Sequence, residues 1–174
     1  VTSESRASAT ILAILPFEPP LMRAAGMTCD FVGHPIVSEP VASAAEAAAF
    51  RETHGIAPEQ PLILCLPGSR RGEVSRLGPR FDEALMRLRD RVPEIRVVIP
   101  TVRGVSGLVR DMAKRWPTAP VVVESPEERR AAFAAADLAL AASGTVSLDL
   151  AANDVPMVIG YDVAPLSRLI IRLL

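Results

Sequence analysis

The sequence predicts an α/β domain built on a doubly wound parallel sheet, Rossmann-like in kind. Two observations carry this. From residue 62 onward, apolar runs of strand length alternate with helical patterns, joined by short loops. The later apolar runs are almost continuous rather than alternating, the mark of strands covered by helices on both faces. Length agrees: 174 residues suit one domain, or one domain plus a piece of another.

The elements follow in order. Residues 11–14 read as a buried strand. Residues 19–25 read as a short helix closed by Gly26, a residue suited to a left-handed helix end. A second short strand covers 30–32 and ends in Gly33-His34-Pro35. Residues 37–42 are polar and contain proline, as a linker would. An Ala/Glu-rich helix over 44–53 ends at His54-Gly55. Then the alternation becomes regular: strand 62–66 and helix 73–91, strand 96–99 and helix 106–115, strand 121–123 and helix 126–135. That last helix is clearly signed, with Ser125 as N-cap, Pro126 at the first helical position and Glu128 three residues after the cap. Strand 137–142 leads to helix 146–152, and strand 157–159 leads to a final helix from about residue 165.

Composition narrows the function classes. The formal net charge of -1 argues against a general nucleic-acid binder. The apolar share of 49% can fill a substantial core, and with only 4% aromatics Ala, Leu and Val do most of the filling. Cys29 and Cys65 have no metal-site spacing and read as buried, reduced thiols of a cytosolic protein. No apolar stretch approaches the roughly 20 residues that span a bilayer. The chain opens without an initiator Met and stops inside an apolar helical pattern, so a piece of a longer protein is expected. That final pattern, 166–174, sets Arg168 and Arg172 opposite leucines and isoleucines; it fits a helix on a membrane surface or one packed on the missing part of the protein.

In a doubly wound sheet, ligands sit outside the C-terminal ends of the strands. Two such ends carry chemistry. After strand 62–66 the chain turns through Pro67-Gly68 into Ser69, Arg70 and Arg71, and a helix begins. Amides at a helix start lack internal partners and carry the positive end of the dipole, and Arg adds a planar fork for phosphate oxygens. A solvated loop with Arg for solubility is the alternative. After strand 137–142 comes Ser143-Gly144-Thr145, two hydroxyls around a glycine at another helix start, which suit either a phosphate or ordinary N-capping. Asp149 follows one turn later, placed to accept from a ribose diol or to favour the helix dipole. Neither loop matches a dinucleotide fingerprint or a P-loop. His34 reads as structural or as a residue beside the linker with a catalytic or ligand role.

Taken together, five stretches resemble the lipid A disaccharide synthase family, bacterial glycosyltransferases of GT-B type. They are Ile14-Leu-Pro-Phe-Glu-Pro19, Phe31-Val-Gly-His-Pro35, Leu66-Pro-Gly-Ser-Arg-Arg-Gly-Glu-Val74, the run from Ala134 to Leu148 containing Ser143-Gly144-Thr145, and Val155-Pro-Met-Val-Ile-Gly-Tyr161. The resemblance implies transfer of 2,3-diacylglucosamine from UDP-2,3-diacylglucosamine to 2,3-diacylglucosamine 1-phosphate (lipid X), releasing UDP. It implies that residues 1–36 are the end of an N-terminal acceptor domain and that 37–174 are most of the C-terminal UDP-sugar domain. Gly68, Ser69, Arg70 and Arg71 become donor contacts, Ser143, Gly144 and Thr145 the second phosphate-side loop, and Asp149 the ribose ligand. Asp149 stands where the family usually has Glu, and Asp162 where it commonly has Arg. His34 gains weight as a residue at the cleft between domains.

The resemblance further implies a cytoplasmic protein, peripheral on the inner membrane, with no cofactor beyond its sugar-nucleotide substrate. No Asp-x-Asp motif appears, which agrees with metal-independent chemistry. The main base is expected in the missing N-terminal domain, so the chain alone should bind UDP weakly and transfer no sugar. Two other readings fit the same residues: a UDP-N-acetylglucosamine 2-epimerase-like enzyme, or a non-catalytic nucleotide-binding module.

Overall fold

The computed structural model describes residues 10–162 of the chain. Two compact units divide it, Val1–Pro40 and Val41–Leu174. In the first, β1 (Thr10–Ala13) and β2 (Thr28–Phe31) pair in parallel around α1 (Glu18–Ala24). A 3-10 turn over Pro35–Ser38 follows, capped by His34. Several apolar side chains of this unit are exposed, among them Leu12, Phe17 and Leu21.

The second unit starts with α2 (Ala44–Thr53) and then alternates: β3 (Leu62–Leu66), α3 (Arg71–Arg89), β4 (Arg96–Pro100), α4 (Ser106–Ala113), β5 (Val121–Val123), α5 (Pro126–Ala135), β6 (Leu138–Ala142), α6 (Val146–Ala152) and β7 (Met157–Gly160). The five strands β3 to β7 are all parallel, in the order β5-β4-β3-β6-β7. The chain thus runs outward from β3 to β5, returns to lay β6 on the other side of β3, and continues outward to β7. The direction of winding reverses between β3 and β6, which opens a crevice above those two strand tips.

Side-chain alternation splits the core into two layers. Leu62, Leu64 and Leu66 pack with Phe50, Phe133 and Leu150 on the face covered by α2, α5 and α6. Ile63 and Cys65 pack with Val74, Phe81, Val109 and Trp116 beneath α3 and α4. All five residues of β3 are buried, as its unbroken apolar run requires. At the far end of the sheet from the crevice, Arg51 clamps the layers. Its guanidinium donates to the carbonyls of Ala135 (2.6 Å) and Gln60 (2.8 Å) and meets the Asp137 carboxylate at 2.9 Å. The same carboxylate oxygen accepts from the Leu62 amide at 2.8 Å.

The element boundaries agree with the sequence pattern to within two residues, with informative exceptions. Helix α3 begins at Arg71 rather than 73 because Glu73 folds back onto the loop before it. It also runs through Pro79, whose missing N–H falls opposite the carbonyl of the exposed Ser75. Residues 35–38 of the expected linker zone form the 3-10 turn. The expected final helix and its Arg168 and Arg172 lie outside the described residues.

Candidate functional site

Above the β3 and β6 tips lies a cavity of about 430 Å³. Gly68, Ser69 and Arg70 line it from β3, Ser143, Gly144 and Thr145 from β6, and Asp149 from the first turn of α6. Seven of the site residues expected from the sequence therefore face one space. Arg71 is the first residue of α3, exposed and not part of the cavity wall. His34 belongs to the first unit, where its Nδ1 accepts from the Ile36 amide at 3.1 Å and closes the 3-10 turn.

Gly68 is required by geometry. Its φ of +122° is one that side chains avoid, and a Cβ there would lie 2.6 Å from the Glu73 Cβ. The close approach brings Glu73 over the loop. Its Oε2 accepts from the amides of Ser69 (3.1 Å) and Arg70 (3.3 Å), and its Oε1 accepts from Arg70 Nη1 at 2.7 Å. The expectation of unpaired amides at this helix start is thus corrected for Ser69 and Arg70: a carboxylate of the same helix already occupies them. Hydrogen bonding from Arg70 holds the Glu73 carboxyl below its ordinary range; partial burial opposes this, and the two amides add to it. The Arg70 side chain is still 81% exposed, so most of its donors face outward.

On the β6 side, the amides of Gly144 and Thr145 make no hydrogen bond within the described residues. Ser147 Oγ donates to the Gly144 carbonyl at 2.8 Å and fixes the loop. Asp149 lines the cavity. Asp162 meets Arg80 at 3.1 Å, and it is absent from the cavity wall.

Three further polar or charged residues line the cavity that the sequence did not single out: Glu73, Thr101 and Arg129. Thr101 follows directly on β4, and its loop was among the strand ends expected to matter. Arg129 lies in the first turn of α5, set by Ser125, whose Oγ accepts from the Glu128 amide at 3.0 Å. Its guanidinium has no hydrogen bond or ion pair within the described residues. Among the described residues no three His, Cys, Asp or Glu side chains are grouped as metal ligands. No described helix is long and apolar enough to cross a membrane.

The arrangement is one of cations, hydroxyls and backbone amides around a concave space at a switch point, which suits a phosphorylated ligand. Sequence comparison is consistent with it. The family model described as lipid-A-disaccharide synthetase matches residues 2–174. The chain belongs to the lipid-A-disaccharide synthetase family. A lipid-A-disaccharide synthase of Ruegeria pomeroyi is 55% identical over 161 residues, covering 88% of this chain and 40% of that protein. One from Rhodospirillum centenum is 46% identical over 162 residues, covering 93% and 40%. The chain thus spans about 40% of the length of these curated relatives. Among solved structures, several share the fold. Anabaena HepE, solved in complex with UDP-glucose, superposes with a TM-score of 0.55 at 13% identity, over 86% of this chain and 44% of that one. A glycosyl transferase family 9 protein from Veillonella parvula gives 0.54 at 19% identity, over 69% and 35%. Likeness at these identities bears on the fold alone.

Proposed function

We propose that this lipid-A-disaccharide synthetase chain holds the sugar-nucleotide donor of a GT-B glycosyltransferase. The reaction is transfer of 2,3-diacylglucosamine from UDP-2,3-diacylglucosamine to lipid X. The acceptor hydroxyl forms a bond to the anomeric carbon, the bond from that carbon to the β-phosphate oxygen breaks, and UDP leaves with the electron pair. The hydroxyl proton goes to a base, which this proposal places outside the cavity described here.

The observation that carries the reading is that Arg70 and the Gly144-Thr145 loop, 74 or more residues apart in sequence, line one cavity on adjacent strand tips. A diphosphate lying across the tips would take charge-assisted hydrogen bonds from the Arg70 fork and from the amides of Gly144 and Thr145. Negative charge grows on those oxygens as UDP leaves, so donors fixed beforehand stabilise the transition state more than the ground state. In this proposal the chain's own cations do that work, with no metal assigned a part. Asp149 accepts from the ribose hydroxyls. Because both substrates carry acyl chains, the protein would work at the inner face of the membrane without spanning it.

Calorimetry of the full chain with UDP tests this, comparing wild type with Arg70→Ala. Loss of a charge-assisted contact is expected to weaken UDP by about tenfold to a hundredfold, from roughly 1.5–3 kcal/mol per charged hydrogen bond. Equal affinities for the two proteins would overturn the assignment.

A further inference from the structure

Thr101 holds a hydroxyl that the protein itself does not use. The residue is 4% exposed, and its Oγ1 is buried with no hydrogen-bond partner among the described residues. Its backbone is fixed: the Thr101 amide donates to the Val123 carbonyl at 2.9 Å, extending the β4–β5 ladder by one residue. Its residue lines the nucleotide cavity, between Pro100 and Val102. A buried hydroxyl without a partner is costly, and valine would fill the same volume without that cost. Thr101 is therefore a polar group whose partner is to be sought in the cavity.

The surroundings say what kind of group that partner is. Around Thr101 the wall is apolar, with Leu66, Pro100 and Val102. Arg70 and the amides of Gly144 and Thr145 stand over the neighbouring tips of β3 and β6, while Arg129 lines the cavity from the first turn of α5, after β5. The residues next to Thr101 bring no charge of their own, so a flat neutral ring with a polar edge fits there better than a phosphate does. Strand spacing sets the reach. With β4 next to β3 and β6 on its other side, the three tips span two strand spacings, about 10 Å. A diphosphate bridging β3 and β6 leaves the β4 tip for the nucleoside. A threonine hydroxyl both donates and accepts, so it can pair with a ring carbonyl or an imino N–H. A χ1 step of about 120° carries the hydroxyl from its buried position into another staggered well, from which it can meet the ligand.

We infer that the Thr101 hydroxyl hydrogen-bonds the pyrimidine ring of the donor nucleotide and helps select that base. This rests on the nucleotide-sugar reading above and adds to it the residue that senses the base. A site that hydrogen-bonds a substrate group discriminates against ligands lacking that group, because its own polar atom is then left unpaired.

The test measures UDP and ADP affinity on the full chain, for wild type, Thr101→Val, Thr101→Ser and Arg70→Ala, with thermal unfolding of each. The wild type should prefer UDP. Thr101→Val should bind UDP about tenfold more weakly, leave ADP unchanged, and melt no lower than wild type. Thr101→Ser should keep the preference within about threefold. A wild type indifferent to the base, a Thr101→Val that retains UDP affinity or loses both ligands alike, or a Thr101→Ser as impaired as the valine variant each overturns the inference. The Arg70→Ala arm speaks to the other reading: it should weaken both diphosphates equally. If it weakens neither, or if the wild type binds neither, the nucleotide-sugar assignment itself fails.

Discussion

On the proposed function, Glu73 sits where an incoming diphosphate would have to go, and replacing it should separate stability from binding. Its Oε2 holds the Ser69 and Arg70 amides at 3.1 and 3.3 Å, and its Oε1 holds Arg70 Nη1 at 2.7 Å. A phosphate oxygen that accepts from the same donors comes within about 4 Å of that carboxylate, where like charges repel by about 1 kcal/mol in a water-like medium. The side chain is only 28% exposed, so the water-like figure is the least the repulsion amounts to. Glu73→Gln keeps the length and one acceptor oxygen but removes the charge. Relief of about 1 kcal/mol corresponds to roughly fivefold tighter UDP binding. The same change weakens a helix-start contact of the capping kind, worth about 1 kcal/mol, and so lowers the melting temperature by about 2–4 °C. The pH dependence has a definite sign. Because the folded protein lowers the Glu73 pKa, its contribution to stability is fully present above the ordinary carboxylate range and is lost as pH falls through the lowered value. The gain in UDP affinity of the glutamine variant should shrink over that acidic range. Titration calorimetry paired with thermal melts reads both effects. A Glu73→Gln protein that binds UDP more weakly than wild type at neutral pH would show that the carboxylate organises the site instead of competing for it.

Two further outcomes are expected. Arg51→Ala should cost about 3 kcal/mol in urea unfolding, since the side chain is 12% exposed and its loss strips partners from the Asp137 carboxylate and the Ala135 carbonyl. UDP affinity should not change, because the clamp sits at the opposite ends of the strands from the cavity; a weakened affinity would refute that separation. Burial pushes the Cys65 thiol far above its ordinary pKa, and Cys29 is 1% exposed. Iodoacetamide at pH 8 should therefore label neither in the native chain and both in urea, and mass spectrometry showing rapid native labelling of Cys65 would contradict its burial.

Local signals in the sequence located what is locally determined. Helix α5 begins where Ser125, Pro126 and Glu128 place it, and β3 covers its apolar run with no residue added or lost. The start of α3 differs because the residue at its N-cap is Arg70, which no capping rule favours; half of a capping box forms, with Glu73 reaching back to the N-cap amide and no hydroxyl answering it. Thr101 and Arg129 were out of reach for a different reason. Nothing in Pro100-Thr101-Val102 says that a hydroxyl will be buried without a partner, and nothing in Glu127-Glu128-Arg129-Arg130 says which arginine will face a cavity.

The strand order is the step on which the function turns, and it is the least local of all. Ser69-Arg70 and Ser143-Gly144-Thr145 are each ordinary loop sequences of an α/β protein. They become one site only because β6 returns to pair with β3, Ile63 opposite Leu138 through Leu66 opposite Ala141, instead of extending the sheet beyond β5. Had β6 followed β5 outward, the two loops would lie three strand spacings apart, about 15 Å, too far for one diphosphate to bridge. The side chains that allow the return are small: Ala139 and Ala141 are fully buried between β3 and β7, where bulkier residues would crowd the layer shared with Leu150 and Phe133. The alanine richness that says little about chemistry on its own thus helps seat β6 between β3 and β7, and with it the second half of the proposed phosphate seat.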